Sequence, residues 1–70
     1  MYHQLSNYQL RLYCDLYKVH EALVQLQHIE KKFAFLRGST AEAQQLLLAN
    51  QLGLQERLRD NKRAIQAAAT

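Results

Sequence analysis

The sequence predicts an all-α fold, a single antiparallel two-helix hairpin occupying residues 1–70. Three observations predict it. Neither Gly nor Pro occurs from Leu5 to Leu36. Leu5, Leu12, Val19, Leu26 and Phe33 recur every seven residues, with Leu16 and Leu23 at the complementary position. The stretch Arg37-Gly38-Ser39-Thr40-Ala41-Glu42 then reads as a stop followed by a start.

The first helix is expected over about 4–36, with Gln4, Asn7, Arg11, Lys18, Glu21, Gln25, His28 and Lys32 gathered on its wet side at 100° per residue. Gly38 follows a basic last turn as a left-handed C′ residue would. Ser39 with Glu42 fits a capping box in which Ser caps and Glu reaches back. On this reading Gly38→Val and Ser39→Ala each cost about 1 kcal/mol. The second helix is expected over about 40–67, with Leu47, Leu54, Leu58 and Ile65 on one stripe, interrupted by Gln51 and Asn61. So short a connection makes the helices antiparallel, in a rod of roughly 45 Å at 1.5 Å per residue. The terminal Ala-Ala-Ala-Thr is expected to fray.

Composition narrows the function. Apolar residues make up 49% of the chain, which excludes a disordered chain, and 70 residues leave much surface wet after folding, so a partner is anticipated. The net charge of +3 is spread over both halves, from Arg11, Lys18, Lys31, Lys32 and Arg37 to Arg57, Arg59, Lys62 and Arg63, which argues against a nucleic-acid groove reader. The segment Arg57 to Arg63 reads as cations complementing a helix C-terminus rather than as a phosphate site. Cys14 is alone and reads as structural in a reducing compartment. The N-terminus has no signal-peptide pattern and no apolar run long enough to span a bilayer, so the expectation is a cytoplasmic protein without a membrane anchor. His3, His20 and His28 are not at metal-binding spacing, and the six acids form no paired constellation. The sequence therefore predicts neither an enzyme nor a metal or cofactor site.

What remains is apolar surface beyond the needs of a two-helix seam. In the first helix Leu10, Tyr13, Tyr17, Val24 and Phe35 widen the apolar arc, and in the second Leu46, Ala49, Leu52 and Gly53 form a comparable set. Leu10, Tyr13, Tyr17, Val24, Leu46, Ala49 and Gly53 are the candidate partner-binding residues. Within the group Tyr2, Tyr8, Tyr13 and Tyr17, the pair Tyr13 and Tyr17 lies off the main heptad and reads as an interface anchor. Gly53 is either slack or space for a neighbour's side chain. Glu30, on the core stripe, either snorkels to the edge or pairs with a basic residue of the other arm. Spare apolar surface also predicts self-association at high concentration.

The turn and the start of the second helix, Arg37-Gly38 followed by Glu42, Gln45, Leu47 and Leu54, resemble the YscE-type co-chaperones of bacterial type III secretion, small proteins folded as two antiparallel helices. The resemblance covers about a third of the chain. It implies a bacterial cytoplasmic co-chaperone that pairs with a larger helical-repeat chaperone, the two together keeping the needle subunit soluble before export. The alternative from a different class is a Rop-like homodimer, two hairpins forming a four-helix bundle whose exposed face binds RNA.

Overall fold

The structure, a computed structural model, describes residues 2–69 and, within them, the side chains of residues 3–69. Tyr2 therefore lies outside the described side chains. The chain is an all-α hairpin: α1 covers Tyr2–Lys32 and α2 covers Arg37–Ala69, joined through Phe33 and a single 3₁₀ turn at Ala34–Leu36. It forms a rod of 54 × 15 × 12 Å.

The seam follows the seven-residue pattern. Leu12 and Val19 from α1 and Leu54 and Leu58 from α2 form the buried core, with Leu16, Leu23 and Leu47 packed against it. Leu5, Leu26 and Ile65 are half-buried, and Phe33, at the end of the α1 stripe, is exposed. Polar residues occupy both ends of the seam. At the open end Asn61 Nδ2 donates to the Leu5 carbonyl oxygen at 3.0 Å. At the closed end the Thr40 hydroxyl donates to the Glu30 side chain at 2.7 Å and lies 3.1 Å from the Arg37 carbonyl oxygen. Glu30 thus finds Thr40, and not a basic residue, on the facing arm.

The corner is not where the turn residues place it. α1 ends at Lys32, four residues before the expected limit, and α2 begins at Arg37, three residues before it. Gly38, Ser39 and Glu42, expected as C′ residue and capping box, lie inside α2, and among the described residues no glycine has a positive φ. Phe33 breaks the helix instead, with φ −127° and ψ 75°. Backbone bonds carry the chain round: the Phe33 N–H donates to the Ile29 carbonyl at 2.8 Å, Leu36 N–H to Phe33 at 2.9 Å, and Arg37 N–H to Ala34. No side-chain cap takes part at Phe33. The Phe33 and Phe35 rings brace the outside edge-to-face, 6.1 Å apart.

Register explains the shift. The pairs Leu5/Asn61 and Glu30/Thr40 have midpoints at residues 33 and 35, where the corner lies. A turn centred between Gly38 and Ser39 would set Asn61 level with Leu16 and Glu30 level with Leu47. Each polar group would then be buried against leucine, at about 1–3 kcal/mol apiece, more than the roughly 1 kcal/mol that a cap contributes. The observed register gives Glu30 the Thr40 hydroxyl and Asn61 Nδ2 the Leu5 carbonyl, leaving only the Asn61 Oδ1 unpaired.

This relocation reverses one expectation. A Cβ built on Gly38 would meet nothing within 4 Å, and its backbone is helical. Gly38→Ala is therefore expected to stabilise the hairpin by up to about 1 kcal/mol, measured as a raised melting temperature; a lower one would restore the turn to Gly38.

Candidate functional site

Two contacts between the arms define the two broad faces of the rod. On one, the Lys62 ammonium stands 5.8 Å from the centroid of the Tyr13 ring. Such a pair contributes about 0.5–1 kcal/mol at an exposed site. On the other, Asp15, Lys18, Asn50 and Arg57 line an open groove of 280 Å³ over Val19 and Leu54. A seven-residue step drifts by only about 20° on a straight helix, so residues seven or fourteen apart share a face.

The candidates divide accordingly. Leu10, Tyr13 and Tyr17, spaced three and four residues apart, form one ridge on the Lys62 side, continued by Val24 seven residues beyond Tyr17. Leu10 is 64% exposed and Tyr17 66% exposed, whereas Val24 is half-buried. Leu46 and Gly53 fall on the other side, in line with Asn50 and Arg57 at steps of three and four. Ala49 is exposed on the outer edge of α2. The two arms' candidate sets are thus not brought together; they look outward from opposite faces. Gly53 has nothing within 4 Å of its would-be Cβ, so the space beside it is not used by the chain itself.

The structure adds two residues to the Tyr13 face. Leu48 is exposed and stands two heptads before Lys62, on the same side. Leu52, 62% exposed, is one turn along from it. Leu48 was not singled out in the sequence because only the register shows which α2 column faces the tyrosines. The signal was the fourteen-residue spacing to Lys62.

Compared with protein-family models, with curated proteins and with solved structures, the chain matches none.

Other expectations change with the geometry. Cys14 is exposed, not part of the core. Because α2 runs on to Ala69, the cations from Arg57 to Arg63 precede its last turn, which holds no basic residue, so macrodipole pairing does not account for them. Arg57 instead lines the Asp15 groove and Lys62 covers Tyr13. Tyr8 is exposed as well. Among the described residues no group of three His, Cys, Asp or Glu side chains is placed to hold a metal ion, and no helix is long and apolar enough to cross a membrane. The arrangement leaves large apolar side chains exposed on both broad faces.

Proposed function

We propose that the chain is a helical-hairpin docking module whose function is to bind a larger protein, in the manner of the YscE-type co-chaperones it resembles. On this reading it works in a bacterial cytoplasm, has no catalytic role, pairs with a helical-repeat chaperone and helps to keep a secretion needle subunit from assembling early. The observation that carries the reading is the imbalance of burial: among the described residues four hydrophobic side chains are buried, and ten large ones are exposed. Isolated exposed leucines are ordinary, but a ridge of Leu10, Tyr13 and Tyr17 flanked by Leu48 and Leu52 is of the kind that marks interaction sites. Arg37 and Gly38, which carry part of the resemblance, open α2 here, so the support comes from the hairpin and its surface more than from the turn.

The test is co-expression of the tagged chain with helical-repeat proteins of its own organism, followed by purification at high salt. A stoichiometric complex with one of them, whose stability depends on apolar residues of the hairpin, is the expected result. A chain that purifies as a stable monomer and binds none of them removes the reading.

A further inference from the structure

Resting on that reading, we propose that the partner docks on the Tyr13 face, and that the docking segment is an amphipathic helix whose apolar seam is flanked by Asp or Glu.

The first argument is charge. The face consists of four seven-residue columns, beginning at Ser6 and Leu10 on α1 and at Ala41 and Gln45 on α2. Their seventeen positions contain no acid, but they do contain Lys31, Arg59 and Lys62. The acids lie elsewhere: Asp15 in the opposite groove, Asp60 in the Leu46/Gly53 column on that same opposite face, Glu30 in the seam, and Glu21, Glu42 and Glu56 on the outer edges. The cations sit at the ends of the apolar stretch, Lys31 seven residues beyond Val24 and Arg59 seven beyond Leu52, with Lys62 over Tyr13. Complementary charge at these positions steers encounter and rejects partners of the wrong sign.

The second argument is area. The chain exposes 5651 Å², whereas a compact folded monomer of 8.2 kDa exposes about 4,500 Å². The excess, about 1,100 Å², is spread round the whole rod, and docking on one face would cover part of it; one partner contributes roughly 800 Å² to a standard interface. The register also places Leu52 level with Tyr17 and Leu48 about one turn further along α1, so the apolar cluster is about 15 Å long. That length suits about three turns of a helix lying between two ridges.

Two other occupants fit less well. A second copy of the chain would bring the same cations against each other. A nucleic acid would gain few phosphate contacts from three cations at the margins and would leave the leucines in water.

The experiment titrates the full chain with two synthetic helical peptides that share one leucine seam, one flanked by Glu and the other by Lys. The Glu peptide is expected to bind at least about tenfold more tightly. Leu48→Glu or Tyr17→Glu should abolish binding; both sites are exposed, and circular dichroism verifies that each variant stays folded. Arg59→Glu with Lys62→Glu should invert the preference between the peptides. The inference is overturned by equal binding of both peptides, by binding of neither, by loss of binding with Leu46→Glu but not Leu48→Glu, or by single-stranded RNA displacing the Glu peptide. It is also overturned if sedimentation shows a dimer that Leu48→Glu dissociates. A complex with a helical-repeat protein that survives Leu48→Glu sinks this assignment and leaves the docking function standing.

Discussion

Leu12→Ala is expected to leave most of the chain unfolded at 25 °C. Leu12 is 2% exposed and meets the α2 stripe in a core of only four buried hydrophobic side chains. Removing so buried a leucine side chain costs about 2–5 kcal/mol, counting lost transfer energy and the cavity left behind. At about 0.05–0.15 kcal/mol per residue a chain of this length has about 3.5–10.5 kcal/mol in total, and a core of four buried side chains puts it near the lower end, where the loss is comparable with the whole. Urea titration followed by circular dichroism provides the measurement. A midpoint close to that of the parent would mean that the hairpin draws its stability from somewhere other than this seam.

Asn61→Leu is expected to act in the opposite sense and to raise stability by about 1–3 kcal/mol. Asn61 is 4% exposed, and its Oδ1 is buried without a hydrogen-bond partner, a deficit of about that size. Its Nδ2 bond to the Leu5 carbonyl is dispensable, because Leu5 lies within α1, where the carbonyl also accepts the usual intrahelical bond. Leucine would extend the Leu54/Leu58 stripe by another turn. The cost falls on uniqueness, since a polar residue in a helical seam penalises shifted registers and other oligomers. The melting temperature should rise while sedimentation shows a broader range of species. A fall in melting temperature would show that the Asn61 amide is worth more paired than an added leucine.

The hairpin and its seam were legible because a seven-residue apolar repeat has one simple solution in a chain without proline. Leu12, Val19, Leu54 and Leu58 lie where that repeat puts them. The corner was not legible. Gly38 and Ser39 carry strong local signals, but each is worth only about 1 kcal/mol, and the positions of Asn61 and Glu30 outweigh them. Those two positions gain meaning only when both arms are considered together. The same holds for the docking face. Leu10, Tyr13 and Tyr17 stand out on one helix, whereas Leu48 acquires its role from the facing helix.

The polar contacts at the two ends of the seam also imply an order of events. Glu30 and Thr40 are ten residues apart in the chain, while Leu5 and Asn61 are fifty-six apart. Closing a loop of about ten residues takes on the order of 10–100 ns, so the Phe33 corner can form before anything else. From there each added layer closes only a small further increment of chain, and the arms come together as a zipper does, from the corner outward. Opening runs the other way. The contact between Asn61 and Leu5, expected to form last, is also expected to be the first lost, so fluctuations should begin at the end farthest from the corner. Leu48, near the corner side of the docking face, stays in place through such partial openings longer than Leu10 does. A partner that grips at Leu48 and Leu52 first would therefore meet an ordered surface and could clamp the looser end around Leu10 and Tyr13 as it settles.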